Sequence, residues 1–175
     1  MDTSILENVA EDLISHRLQQ AGLLVAKPKF DQAGADLLAF AGMADGVKFC
    51  RIQCKGRTLQ GADSNIVIVE GYVTNGLVTI LYVEGPNYSG DLYCFFASEV
   101  TTWPLRDGKH RLTLSARNYK KDLERYLVDS VKVNIIKDII AGAEATNEFK
   151  HVSHFSGTVQ LDDMVASGAF QGSAG

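Results

Sequence analysis

Near the start of the chain the apolar positions recur with helical spacing. Ile5, Leu6, Val9, Leu13, Ile14, Leu18 and Ala21 predict an amphipathic helix over residues 4–22, closed by Gly22. Ser4 followed by Glu7 has the form of a capping box, in which hydroxyl and carboxylate each satisfy an amide left unpaired at the helix start. Beyond Gly22 the period shortens. LLVAKPKF is an extended segment kept from helix by Pro28, and DQAGA is turn-rich. DLLAF at 36–40 predicts a short strand, GMADG a hairpin turn, and VKFCRIQCK at 47–55 the antiparallel partner. Further strands are expected at 64–69 (SNIVIV), 77–85 (LVTILYVEG) and 92–100 (LYCFFASEV). From about Ser115 to Ala141 helical spacing returns through Tyr119, Leu123, Leu127, Val131, Ile135 and Ile139. The β-branched Val131 and Val133 mark where that helix would bend.

The order helix, hairpin-based sheet, helix predicts an α/β layout in which a sheet is covered by helices. With 175 residues the chain fits one domain, placed at 1–144, followed by a Gly/Ser/Ala-rich extension at 145–175 that is expected to be mobile or to dock on a partner. No apolar run approaches the ~20 residues of a membrane helix, and MDTSILENVAED is acidic where a secretory signal would be basic, so a cytoplasmic protein is expected. Cys50, Cys54 and Cys94 read as buried thiols rather than a disulfide framework. Tyr82, Tyr93, Phe95 and Phe96 read as core, Trp103 as part-exposed, and His151 and His154 as surface residues.

Charge changes this picture only through its distribution. The formal net charge is −4, which argues against simple capture of a polyanion. Yet residues 47–60 hold Lys48, Arg51, Lys55 and Arg57 with no acid, and 106–125 holds Arg106, Lys109, Arg111, Arg117, Lys120, Lys121 and Arg125 against Asp107, Asp122 and Glu124. These are two solvated faces or two footprints for phosphate.

Side chains alternate across a strand, so Arg51, Gln53 and Lys55 share one face while Cys50, Ile52 and Cys54 share the other. A turn near Ala44 and Asp45 would bring Asp36 opposite the low fifties, beside Gln53. On the first helix Glu7, Glu11, Ile14 and Leu18 form one line, and Glu11 has no capping role to explain it. Cys50 and Cys54, four apart on a strand, are too distant to chelate a zinc ion together. Neither a phosphate-binding P-loop nor a Gly-x-Ser-x-Gly elbow occurs.

A helix acid, then FDQAGADLLAF, then FCRIQCKGR resembles the PD-(D/E)xK nuclease superfamily, the restriction-endonuclease-like and Holliday-junction-resolvase-like fold. The likeness is good over residues 4 to about 60 and loose over 60–100, and Gln53 stands where the family more often has an acid. It implies a mixed central sheet flanked by an N-terminal and a C-terminal helix. It also implies a DNA-cleaving, resolvase-like enzyme using magnesium or manganese. Asp36, Gln53 and Glu11 would be its metal ligands, with a backbone carbonyl near Cys54, and Lys55 would face the scissile phosphate. Arg51 and Arg57, with Lys55, would touch nucleic acid. Many proteins with this core pair up, and the apolar face at 115–141 suits a homodimer. The alternative is a module that kept the fold, lost catalysis and binds nucleic acid or a partner protein.

Overall fold

The computed structural model describes residues 3–29, 34–41, 47–59, 61–84, 90–143, 153–155 and 158–160. The first helix, α1, runs Thr3–Gln20. Its buried residues Leu6, Ala10, Ile14 and Leu18 lie on one face; Ile5, Val9 and Leu13, counted in the apolar spacing, are exposed instead. Ser4 falls inside the first turn rather than before it, and its side chain lies outside the described residues.

Five strands follow one another into a central sheet: β1 (Leu24–Ala26), β2 (Leu37–Phe40), β3 (Phe49–Thr58), β5 (Leu77–Glu84) and β6 (Gly90–Phe96), in the spatial order β1-β2-β3-β5-β6. The β2–β3 hairpin is antiparallel, as expected, with Leu37 opposite Ile52; its turn, at 42–46, lies outside the described residues. β3 and β5 are parallel, which makes the sheet mixed. β4 (Ser64–Val69) is the crossover between them, and it does not join that sheet. It pairs instead with β8 (Lys109–Leu114), which pairs with β7 (Leu105–Arg106).

The sheet therefore has two different covers. On one face α1 and α4 (Ser130–Ala141) pack over Cys50, Ile52, Cys54, Val78, Ile80 and Cys94. On the other, Ile66, Ile68 and Leu114 of the three-stranded sheet meet Leu77, Leu81, Val83, Tyr93 and Phe95. The fold is thus mixed α/β with a five-stranded mixed sheet and flanking helices, both on one face.

Three expectations need correction. The strand at 92–100 ends at Phe96, because the Glu99 carboxylate accepts the Phe96 amide at 2.9 Å and starts a helical turn, α2, at Ala97–Val100. Trp103 is buried, not part-exposed: its indole meets the Phe95 ring edge-on at 5.2 Å. The single helix at 115–141 is broken. A short α3 (Tyr119–Leu123) runs into a 3-10 turn, Val128 then donates to Leu92 O along β6, and Asp129 caps α4 by accepting the Lys132 amide at 2.8 Å. That break comes before Val131, set by a cap and not by β-branching. The β7–β8 hairpin was not foreseen. Its turn is Asp107-Gly108, both at positive φ (52° and 66°), the conformation that an Asp-Gly pair adopts most easily.

At the C-terminus β9 (Ser153–Phe155) and β10 (Thr158–Gln160) form an antiparallel pair. His151 and most of the 145–175 extension lie outside the described residues.

Candidate functional site at the β2–β3 edge

The Asp36 amide donates to Ile52 O at 3.0 Å, which carries the β2–β3 pairing one residue beyond β2 and sets Asp36 across from Gln53. The Asp36 Oδ2 atom accepts the Cys54 amide at 2.6 Å, so the carboxylate is fixed against β3. The approach to Asp36 is itself constrained. Gly34 has φ +70°, and a Cβ there would come within 2.4 Å of the Tyr72 ring. Only glycine can both turn the chain and lie under that ring.

Gln53 is 7 % exposed, and its Oε1 has no hydrogen-bond partner among the described residues. Its neighbour in the parallel β3–β5 register is Thr79, fully buried, whose Oγ1 is likewise unpartnered. Asp36, Gln53 and Thr79 thus form a polar row across the face that otherwise carries the second apolar core. Leaving a buried acceptor unmet costs about 1–3 kcal/mol. An amide oxygen held in this state is a ready ligand for a cation or a partner for water.

Lys55, two residues further on the same face and part-exposed, makes no hydrogen bond or ion pair with another described residue. Its basic neighbours are committed. Arg51 Nη2 donates to Tyr72 O at 3.1 Å and to Thr74 Oγ1, bracing the segment that covers Gly34. Arg57 donates from Nε and Nη2 to Asn65 O at 3.0 and 2.9 Å, and its Nη1 lies 4.0 Å from Glu7. Burial lowers the Arg57 pKa, with Glu7 opposing that fall. Both arginines, expected as nucleic-acid contacts, tie β3 to the chain that crosses between β3 and β5.

Glu11 lies on the helix-covered side and forms an ion pair with Lys27, just beyond β1. The hydrogen bond and the charge of Glu11 hold the Lys27 pKa above its ordinary value, and Asp36 adds to the same effect. Cys54 feels the whole group. Burial first, then the negative charges of Asp36 and Glu11, pushes its thiol well above the usual range, while Lys55 and Lys27 oppose. Cys54 therefore stays a neutral thiol on the core face. Cys50 and Cys94 are also pushed up to about 12, by burial. All three are the buried thiols expected.

Glu11 and Asp36 both act on the charge of Cys54 and Lys27, so the two carboxylates lie near the Cys54 end of β3, the strand that also carries Gln53 and Lys55. Among the described residues no three His, Cys, Asp or Glu side chains cluster as a metal cage. Asp36 and Gln53, across from each other, offer one carboxylate and one amide oxygen, hard donors of the kind that magnesium takes together with water. Sequence reasoning missed Thr79 and Lys27. Thr79 sits in an apolar strand whose parallel pairing to β3 leaves no trace in the sequence. Lys27 lies in an extended segment with no periodicity to aim it.

No described helix is long and apolar enough to cross a membrane. Neither a family model nor a curated protein matches the sequence. Among solved structures, the chain is similar to a bacterial homing endonuclease, I-Ssp6803I, with a TM-score of 0.52 and 15 % identity, over 83 % of this chain and all of that one. The likeness is one of fold, and it places this chain's mixed sheet and flanking helices beside those of a nuclease.

Proposed function

We propose that this protein is a metal-dependent endonuclease of the PD-(D/E)xK type, resolvase-like in its core, acting on DNA in the cytoplasm. The observation that carries the reading is the buried, unpartnered Oε1 of Gln53, set across the strand from Asp36 and on the same face as Lys55. Asp36, Gln53 Oε1 and Glu11 would hold magnesium or manganese. The ion would supply Lewis-acid polarisation of a phosphate and a water of lowered pKa. Lys55 has no competing acid partner, so its ammonium is available to a phosphate oxygen as charge builds there. Asp36 is anchored by the Cys54 amide, so its carboxylate needs no reorganisation to act.

The test is incubation of duplex DNA with the purified protein and magnesium or manganese, in parallel with Asp36→Ala and Lys55→Ala. Cleavage by the wild type alone supports the reading; equal cleavage by all three assigns it to another site or a contaminant.

A second reading, a nuclease-fold module without catalysis, is favoured by one observation: Lys27 already neutralises Glu11. It predicts that calorimetric titration finds no Asp36-dependent uptake of manganese. In either case we propose a homodimer through α4, where Val131 and Ile135 remain exposed one turn apart, and light scattering tests it.

A further inference from the structure

The three-stranded sheet has an inner face that belongs to the core and an outer face that no described residue covers. Along β8 the burial alternates strictly: His110 and Leu114 point inward, while Lys109, Arg111 and Thr113 are exposed. β4 repeats the pattern, with Ile66 and Ile68 inward and Asn65 and Val69 outward. The register sets Thr113 beside Asn65, Arg111 beside Val67, and Lys109 between Val69 and Arg106. Three cations, Arg106, Lys109 and Arg111, therefore share this outer face, and none forms an ion pair with a described acid. The acids nearest in sequence and pairing, Asp107 and Glu70, stand at the hairpin end, where the Glu70 amide donates to Gly108 O.

This face meets the candidate site at the β4 edge. Thr113 Oγ1 donates to Asn65 Oδ1 at 2.8 Å, and Asn65 O accepts from the Arg57 guanidinium, two residues from Lys55 on the same side of β3. The row runs from Lys55 through Arg57 and the Asn65–Thr113 pair to Arg111 and then to Lys109 with Arg106. Alternate residues on a strand are about 7 Å apart, so the cations extend roughly 15 Å beyond Thr113. An acidic protein that keeps a line of unneutralised cations leading into a phosphate-handling site has charge complementarity to a polyanion on that line.

We propose that the outer face of β4-β8-β7 is the docking surface for B-form duplex DNA, with Arg106, Lys109 and Arg111 contacting its phosphates; the proposal deepens the endonuclease reading by naming where its substrate lies. A narrow antiparallel sheet fits the ~12 Å major groove of B-form DNA, whereas the A-form RNA groove is too deep and narrow for it.

The experiment is fluorescence anisotropy with a labelled blunt DNA duplex in calcium, where binding is read without cleavage, across roughly 50–200 mM salt. The full-length wild type, Lys55→Ala and the triple variant Arg106→Ala, Lys109→Ala, Arg111→Ala are compared. The triple variant should bind at least about tenfold more weakly, and its log–log salt slope should be shallower by roughly 2–3, near 0.9 per lost phosphate contact. Lys55→Ala, which removes a single phosphate contact, should make the slope shallower by no more than about 0.9 and weaken binding less than the triple variant does. Circular dichroism checks the fold, and the single charge reversal Lys109→Glu gives a second, less invasive variant with the same direction of effect. An unchanged affinity and slope in both surface variants, tighter binding of an RNA duplex, or no DNA binding by the wild type overturns the proposal. If the surface variants behave as expected but wild-type protein never cuts DNA with magnesium or manganese, the surface stands and the endonuclease reading falls. If Lys55→Ala abolishes cutting while the triple variant binds and cuts normally, the reverse holds.

Discussion

The two faces of β3 are built on opposite rules. Toward α1 the strand presents Cys50, Ile52, Cys54 and Gly56, and the helix comes so close that a Cβ on Gly56 would lie 2.8 Å from Leu6 O. Toward the three-stranded sheet it presents Arg51, Gln53, Lys55 and Arg57, of which the two outer arginines are tied to acceptors in the crossover and the two inner residues are not. The first face spends every atom on packing. The second is stiffened at its ends and left unsatisfied in the middle, which is how a folded chain keeps polar groups poised for something outside itself.

The sharpest way to break this contrast is a pair of substitutions one step apart in function but not in space. Lys55→Ala should reduce DNA cleavage by about 100–1,000-fold, the range for losing one charge that stabilises a transition state, with little change in melting temperature. Ile52→Ala, on the other face, should cost about 2–5 kcal/mol of stability, read by denaturant unfolding, because the vacated volume faces a rigid helix. Should Lys55→Ala unfold the protein while leaving residual activity normal, the division between faces would be wrong.

Gly56→Ala probes the closeness of α1 itself. The added methyl must push against the Leu6 carbonyl as well as the Leu6 side chain, and the carbonyl cannot turn aside, so a loss of about 1–3 kcal/mol is expected in the same unfolding assay. An effect near zero would mean that α1 shifts easily, and Glu11 with it.

Gln53→Leu sharpens the comparison from the other side. It replaces an unmet buried acceptor with an apolar side chain of similar size, and stability should stay equal or rise by about 1 kcal/mol. At the same time manganese uptake, measured by calorimetry, should weaken. A clear loss of stability would show that Gln53 already has a structural partner, which removes the main support for a metal there.

How much of this was legible in the sequence follows from what each feature depends on. The helix α1, the β2–β3 pairing and the meeting of Asp36 with Gln53 depend on local periodicity and were legible, although the apolar spacing did not separate the buried Leu6, Ile14 and Leu18 from the exposed Ile5, Val9 and Leu13. The polar row gains Thr79 only through the parallel pairing of β3 with β5, a contact made across a crossover that no short-range pattern encodes. The same crossover hid that β4 leaves the central sheet. The intramolecular partners of Arg51 and Arg57 were hidden for a related reason: they include the carbonyls of Tyr72 and Asn65, and backbone acceptors carry no residue-type signal. In contrast, the β7–β8 turn was present in the sequence as Asp-Gly and could have been found.

The smallest effect expected is at Glu11, and it tests whether the helix acid serves the fold or the site. Its ion pair with Lys27 is open to solvent on the lysine side, 58 % exposed, so screening limits its worth to about 0–1 kcal/mol. Lys27 is held above its ordinary value of 10.5, so whatever stability the pair contributes is complete below that pH and fades as the pH rises through the raised folded value. Wild type and Glu11→Gln should therefore differ slightly in unfolding free energy near neutrality and converge in strong alkali. If the difference near neutrality is no larger than this while manganese uptake falls severalfold, the carboxylate is kept for the ion and Lys27 is its stand-in. If stability falls by several kcal/mol and metal uptake does not change, Glu11 belongs to the packed face of β3 after all.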